Sequence, residues 1–160
     1  NTFIFTKYKK LNKQTNMVGK ASVYFKAVNS LDGSDVRVSK RGYIPYYRLR
    51  GFKKGKIGPI DGNDHVGGNY AASLNLESNL PNLLPDSSNV DVSLFLDFGN
   101  VWGVDYDDTI DESNKIRSST GVVAGWMSPL GPLSFVFSQN ISKASTDETE
   151  SFNFNLGTTF

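Results

Sequence analysis

The sequence predicts an all-β fold built from antiparallel strands. Its apolar residues recur with a period of two, and no segment shows a helical period. The alternating segments run to about 10 to 13 residues, and short connections between them alternate with much longer ones. Strands with one apolar face form either a sandwich, in which two apolar faces pack together, or a membrane barrel, in which the apolar face meets lipid.

About seven segments of the chain are candidate strands. In chain order they are residues 2–10, 17–28, 70–78, 89–102, 115–127, 132–140 and 150–160. Pro129 and Pro132 mark a tight turn between the fifth and the sixth, because proline cannot donate a ladder hydrogen bond. The longest connection, at about 32–65, separates the second strand from the third, and an acidic connection follows the fourth at about 105–114.

The clearest strands have one apolar and one polar face. In residues 89–102 the polar face carries Phe95 and Asp97, and in residues 70–78 it carries Glu77. Two carboxylates therefore lie opposite aliphatic stripes. The apolar face of the last strand comprises Phe152, Phe154, Leu156 and Phe160, opposite Asn153, Asn155 and Gly157.

Three features favour the barrel over the sandwich. The candidate strands exceed the roughly 5 or 6 residues usual in soluble proteins and match the roughly 9 to 11 residues of a tilted membrane strand. Short turns that alternate with long loops are typical of outer-membrane barrels. The chain also ends on an aromatic residue, Phe160, in phase with the apolar face. Because no run approaches the roughly 18 apolar residues of a membrane helix, a membrane role would use strands or a surface association.

Composition excludes several classes of function. The net charge of +1 gives no electrostatic footprint for nucleic acid, and the absence of cysteine rules out thiol catalysis and cysteine-ligated metals. His65 is the only histidine, and no nucleophile and base stand together, so the sequence predicts neither an enzyme nor a metal site. The acidic stretch at 105–113 lacks the glycine and final acid of a calcium loop and is interpreted as solvated. The chain begins at Asn1 without a signal sequence, which suggests a piece of a longer protein.

One arginine, Arg50, stands between Leu49 and Gly51 in "YYRLRGFKKGKIGP", residues 46–59. If Arg50 lies in a barrel lumen it must be paired, because an unpaired buried charge costs several kcal/mol, and Asp97 and Glu77 are its candidate partners. Its fork can bind a carboxylate through two hydrogen bonds. Gly51 would let the backbone turn close to the barrel wall. The alternative is that Arg50 is a solvated loop residue.

Beside Arg50, the sequence predicts an aromatic contact. Phe52 would pack against residues of the polar face such as Phe95, since aromatic pairs bury much area.

Several motifs together resemble one protein family. In order, they are "LRGF", "IGP", "VGGN", "DFGNVW", "GWMSPLGPLSF" and "FNLGTTF". Their order and spacing, from about residue 17 to Phe160, resemble the C-terminal part of the BamA family of outer-membrane protein assembly factors. The chain departs from the family pattern at Leu49, where valine is common, and has a shorter stretch between "IGP" and "VGGN".

The resemblance implies a fold and a location. Residues 1–160 would be the C-terminal portion of one antiparallel transmembrane β-barrel domain, about seven strands of a 16-stranded barrel, integral to the bacterial outer membrane. The loop at about 32–65 would insert into the lumen. There Asp97 would hold the arginine of the family motif, with Glu77 nearby. The motif residues are Leu49, Arg50, Gly51 and Phe52.

The resemblance also implies a function without covalent chemistry or a cofactor. The family folds and inserts β-barrel proteins into the outer membrane. The last strand, about Glu150 to Phe160, would form one side of a lateral seam weakened by Gly157, and would carry a C-terminal assembly signal. The implied partners are nascent outer-membrane β-barrel proteins, accessory lipoproteins of the assembly complex and outer-membrane lipid.

Three alternatives remain open at the level of sequence. A two-partner secretion transporter of the same superfamily would export a polypeptide through its lumen. A passive porin-like channel would conduct ions and leave the folding of other barrels unaffected. A soluble sandwich that serves as a binding module would be monomeric in buffer without detergent.

Overall fold

The computed structural model describes residues 1–157, and within them seven long strands form one antiparallel sheet. The prediction of an all-β fold with about seven strands is confirmed. The nine strands are β1 (Thr2–Asn12), β2 (Met17–Ala27), β3 (Ile60–Asp61), β4 (Asp64–His65), β5 (Tyr70–Asn79), β6 (Val90–Trp102), β7 (Arg117–Ser128), β8 (Gly131–Ser142) and β9 (Phe152–Leu156). The sheet order is β1-β2-β5-β6-β7-β8-β9, while β3 and β4 pair only with each other.

The connections alternate in length over most of the sheet, as predicted. Short turns at 13–16 and 129–130 join strands at one end of the sheet, together with a connection at 80–89. The long loops at 28–69 and 103–116 lie at the other end, and so does the 143–151 loop, which is no longer than the 80–89 connection. The loop predicted at about 32–65 therefore spans 28–69, and it contains the β3–β4 hairpin, which the sequence analysis missed because each strand has only two residues.

The strand register places polar side chains in rows on one face. Asn75 pairs with Asp97, Asp97 with Ser119, and Ser119 with Asn140, so four strands contribute to one row. The neighbouring row comprises Glu77, Phe95, Gly121 and Ser138. Because side chains alternate between faces along each strand, these two rows share the polar face of the sheet.

The apolar face of the sheet is exposed over its whole width. Leu74 is 37% exposed, Leu94 46%, Phe137 53% and Phe154 50%. A sandwich would bury these side chains against a second sheet. The alternative of a soluble sandwich is therefore wrong, and the barrel pattern holds. None of the described residues lies in a helix that is long and apolar enough to cross a membrane.

The core lies on the polar side of the sheet, beneath the 28–69 loop. One buried cluster joins loop residues to β2, β5 and β6, and each buried leucine or phenylalanine in it contributes about 1.5 to 3 kcal/mol. Its members are Tyr24, Ile44, Leu49, Phe52, Ile57, Ala71 and Val101. A smaller second cluster comprises Phe95, Val123 and Val136. The long loop is thus a packed element of the fold.

The last strand begins later than predicted. Among the described residues, the ladder with β8 runs from Phe152 to Leu156, whereas the sequence predicted a strand from about Glu150 to Phe160. It begins late because Glu150 donates its backbone N–H to Gly51 instead of to β8. Gly157, with a φ of +110°, still donates its backbone N–H to the Pro132 carbonyl of β8 at 2.7 Å. Phe160 lies outside the described residues.

Candidate functional site

The LRGF motif (residues 49–52) lies against the polar face of the sheet after a short 3₁₀ turn, Tyr46–Arg48. Gly51 has a φ of +91°, which side-chain-bearing residues rarely adopt. A Cβ atom at this position would lie 3.2 Å from both the Ser138 hydroxyl and the Asn140 amide. Glycine is therefore needed twice, for its backbone conformation and for its closeness to the strands.

Arg50 and Asp97 form a two-pronged ion pair. The guanidinium donates from Nε to Asp97 Oδ2 at 2.8 Å and from Nη2 to Oδ1 at 2.8 Å. The Arg50 backbone N–H donates to the same Oδ2 at 3.0 Å. The Asp97 side chain is fully buried, and that of Arg50 is 11% exposed. The carboxylate thus fixes both the side chain and the main chain of the motif.

Glu77 and Phe95 complete the surroundings of the guanidinium. Arg50 Nη1 donates to Glu77 Oε2 at 2.7 Å, and the guanidinium carbon lies 3.9 Å from the centre of the Phe95 ring. Burial lowers the pKa of Arg50, but the hydrogen bonds and charges of Asp97 and Glu77 outweigh it and hold that pKa above its ordinary value. One cation therefore faces two carboxylates and an aromatic ring.

Phe52 does not occupy the position predicted for it. It is buried in the cluster that includes Leu49 and Ile57, while Phe95 belongs to the separate cluster under β7 and β8. The contact predicted between Phe52 and Phe95 is therefore wrong. The guanidinium of Arg50 lies over the Phe95 ring instead.

Three polar side chains of the sheet hold the backbone of residues 48–51, in and just before the motif. Asn75 donates to the Arg48 carbonyl at 2.7 Å and to Asp97 Oδ1 at 3.0 Å. Asn140 donates to the Gly51 carbonyl at 2.9 Å, and the Ser119 hydroxyl donates to the Arg50 carbonyl. The sequence analysis missed Ser119 and Asn140, although both occupy the polar row that contains Asp97.

Two lysines after the motif are exposed and form ion pairs. Lys53 and Lys56 each place their Nζ 3.2 Å from the Glu148 carboxylate. The pKa of Glu148 is lowered by its hydrogen bonds to Lys53 and Lys56. The lysine run thus connects the 28–69 loop to the 143–151 loop.

The acidic stretch after β6 is less solvated than predicted. Asp105 accepts a hydrogen bond from the Val36 backbone N–H at 3.0 Å, and Asp111 accepts one from Gly103 at 2.7 Å. Glu112 pairs with Arg117. These acids bond to the backbone of the 28–69 and 103–116 loops and to the buried Arg117. They therefore help to shape these loops. Among residues 1–157, no three potential metal ligands cluster.

The last strand contacts the loop through its polar face. The Tyr46 hydroxyl donates to Asn155 Oδ1 at 3.0 Å. On the other face Phe152 and Phe154 pack in a tilted arrangement against the phenylalanines of β8, at centroid distances of 5.1 and 5.2 Å. Leu156 is 73% exposed. Strand β9 ends the sheet order, so within the described chain one of its edges has no partner.

Comparisons with known proteins point to one family. Residues 1–160 match the model of the Omp85 superfamily domain. The chain is 33% identical to the outer membrane protein assembly factor BamA of Neisseria meningitidis serogroup B (70% of this chain, 17% of the relative) and 28% identical to that of Neorickettsia risticii (80% and 18%). The crystal structure of BamA from Haemophilus ducreyi lacking POTRA domains 1-3 superimposes with a TM-score of 0.84 at 28% identity, covering 96% of this chain and 33% of that one. The chain spans less than a fifth of these curated relatives.

Proposed function

Because the chain belongs to the Omp85 superfamily, within the BamA family of integral outer-membrane β-barrel proteins, we propose that it serves to fold and insert other β-barrel proteins into that membrane. One observation supports this most directly. Within residues 1–157, strand β9 pairs with β8 over five residue pairs, Leu133–Leu156 to Phe137–Phe152, and is the last strand of the described sheet. An unpaired strand edge can template an incoming strand by β-augmentation.

In this proposal the last strand is one side of a lateral seam. Its neighbour β8 is held to β7 over eleven residue pairs, about twice as many as hold β9 to β8. Gly157 would let the strand bend away from the sheet, because its φ of +110° costs glycine little. The alternating side chains of the segment also fit a C-terminal assembly signal. These residues are Phe152, Phe154, Leu156 and Phe160.

The LRGF motif would act as a structural brace of the seam. We place the loop at about 32–65 in the barrel lumen, since it covers the polar face of the sheet while the apolar face is exposed. Residues 1–160 then form the C-terminal part of one barrel domain. Arg50 would hold this loop through Asp97 and Glu77, so the brace stabilises the active barrel and takes no part in covalent chemistry.

The partners follow from this role. Nascent outer-membrane β-barrel proteins would be the clients, accessory lipoproteins of the assembly complex would bind the full-length protein, and outer-membrane lipid would cover the exposed apolar face. No catalytic residue, metal or cofactor is part of the proposal, because strand templating uses only backbone hydrogen bonds.

Reconstitution tests the function. The full-length protein containing this chain would be placed in liposomes, and a urea-unfolded barrel protein would be added. We expect the client to acquire its folded, heat-modifiable form faster than in empty liposomes. Steady ion conductance without faster client folding would instead indicate a porin-like channel. Export of one dedicated polypeptide, again without faster folding, would indicate a two-partner secretion transporter.

A charge on the apolar face should reveal its contact with lipid. Leu94→Arg, near the middle of β6, is expected to cost about 2 to 4 kcal/mol of barrel stability, because arginine near the bilayer midplane is poorly solvated. The matched control is Leu130→Arg, in the turn between β7 and β8, where leucine is 88% exposed and the cost should be about 0 to 1 kcal/mol. Unfolding by urea in lipid measures both. Equal losses for the two variants would contradict lipid contact at Leu94.

A further inference from the structure

A second buried arginine lies at the start of β7. The side chains of Arg117 and Asp147 are both fully buried. The Arg117 guanidinium donates from Nε to Asp147 Oδ2 at 2.9 Å and from Nη2 to Oδ1 at 2.8 Å. This repeats the two-pronged geometry of the Arg50 pair, but it joins a strand to the 143–151 loop.

The remaining donors of Arg117 draw in a third segment. Nη1 donates to Asn100 Oδ1 at 2.6 Å, and Nη2 also contacts the Glu112 carboxylate. Asn100 in turn donates to the Glu112 backbone carbonyl at 2.9 Å. One cation is again shared by two carboxylates, which balances its charge in a buried position. The 103–116 and 143–151 loops are thereby fastened to the same strand end.

The residues after Asp147 run directly along the LRGF motif. Asp147 Oδ2 accepts the Ala144 backbone N–H at 2.7 Å, which closes a turn. The chain then pairs with the motif and with the residue that follows it. Lys53 N–H donates to the Glu148 carbonyl at 3.0 Å, and Glu150 N–H donates to the Gly51 carbonyl at 3.0 Å. Strand β9 begins two residues later, at Phe152.

We propose that Arg117 and Asp147 are positioning residues and form a second brace. This brace fixes the position of the 143–151 loop, so that the loop can bond to the LRGF motif and the last strand begins at the correct place beside β8. The physical reason is that the backbone of residues 148–150 bonds to Gly51, Lys53 and Lys56 of the 28–69 loop, and among the described strands only β8 reaches it, through the Ser138 hydroxyl that donates to the Glu150 carbonyl at 3.0 Å. Asp147 fixes the position of this short segment at one end, and β9 fixes it at the other. The consequence of this second brace for client assembly rests on the proposed function, whereas the positioning of the 143–151 loop does not.

A disulfide cross-link measures that positioning. Lys53 and Glu148 face each other in the paired segment and are 52% and 43% exposed, so cysteines there should form a bond with little cost to the fold. In the full-length, membrane-embedded protein we expect efficient cross-linking of Lys53→Cys with Glu148→Cys. Adding Asp147→Asn, which keeps the shape but removes the charge, should lower the yield about fivefold or more, because Arg117 then pulls less strongly on the loop.

Asp108→Asn is the matched control, because Asp108 is an exposed acid of the neighbouring loop and lies outside the Arg117 network. Its cross-linking yield should equal that of the parent. Equal yields for Asp147→Asn and Asp108→Asn would overturn the proposal. If Asp147→Asn protein fails to fold, Arg117→Lys, which keeps the charge but lacks the fork, gives the same two readings. Because the cross-link is scored without any client, its outcome is independent of whether the protein assembles other barrels.

Discussion

Arg50→Ala is expected to lower the free energy of unfolding of the barrel by about 3 to 5 kcal/mol and to slow client assembly. The reason is that the substitution leaves the carboxylates of Asp97 and Glu77 without the cation that balances their charge. Asp97 is fully buried and would lose the donors of the fork, and Glu77 would lose its only ion-pair partner among the described residues. The buried Phe95 ring would also lose the cation that lies over it. Urea unfolding in lipid and the rate of client folding in liposomes measure the two effects.

Arg50→Lys should restore only part of the loss. Lysine keeps the positive charge but has no planar fork, so it cannot bond both oxygens of Asp97 and also reach Glu77. Arg37→Ala serves as the matched control, because Arg37 is an exposed arginine of the same loop and should change stability by less than about 0.5 kcal/mol. Equal heat stability and equal assembly rates for the parent and Arg50→Ala would show that the brace has no such role.

Gly121→Ala is expected to cost about 3 kcal/mol or more, the second large effect. A Cβ atom on Gly121 would lie 1.9 Å from the Phe137 carbonyl oxygen of β8 and 2.8 Å from the Phe95 ring. The first neighbour is backbone in a paired strand and cannot rotate away. Relief therefore requires either separation of β7 from β8 or displacement of Phe95, which supports Arg50.

Gly125→Ala is a close control for this substitution. Gly125 lies four residues along the same strand and on the same face, and an added Cβ would meet only the Asp91 carbonyl, at 3.9 Å. We expect Gly125→Ala protein to give the parental amount of folded, heat-modifiable barrel, and Gly121→Ala protein to give much less. If the two variants folded equally well, the close approach of β7 and β8 at Gly121 would not constrain the barrel.

The long strands were predictable because their side chains alternate over ten residues or more. The alternation in β6 predicts Asp97 and Phe95 on the polar face, and the register confirms that arrangement. The short β3–β4 hairpin could not be found in this way, since two residues carry no period. The predicted start of β9 is too early, because the sequence before Phe152 alternates like a strand while Glu150 bonds to Gly51 of the LRGF motif.

The two arginine sites differ in how far they could be predicted from the sequence. Arg50 lies in a motif that resembles one of a known family, and the alternation of side chains in β6 indicates Asp97 as its candidate partner. Arg117 begins β7 in the unremarkable run "KIRSST", and Asp147 lies in "STDETE", which resembles a solvated acidic loop. Nothing local in either run indicates burial, because the burial arises where the 103–116 and 143–151 loops fold over one strand end. Such a pair could be found only from tertiary structure.

The separation in sequence between the LRGF motif and its partners sets an order of folding. The turn between β7 and β8 closes over two residues, 129–130, whereas Arg50 meets Asp97 across 47 positions and Gly51 meets Asn140 across 89. Tyr46, in the same loop as the motif, meets Asn155 of β9 across 109 positions. Contacts between distant residues form late, since the loop entropy is lost before they are made. The 28–69 loop lies in the first half of this chain, yet it can complete its native contacts only after the last strand is present. Docking of the loop therefore depends on the end of the sheet.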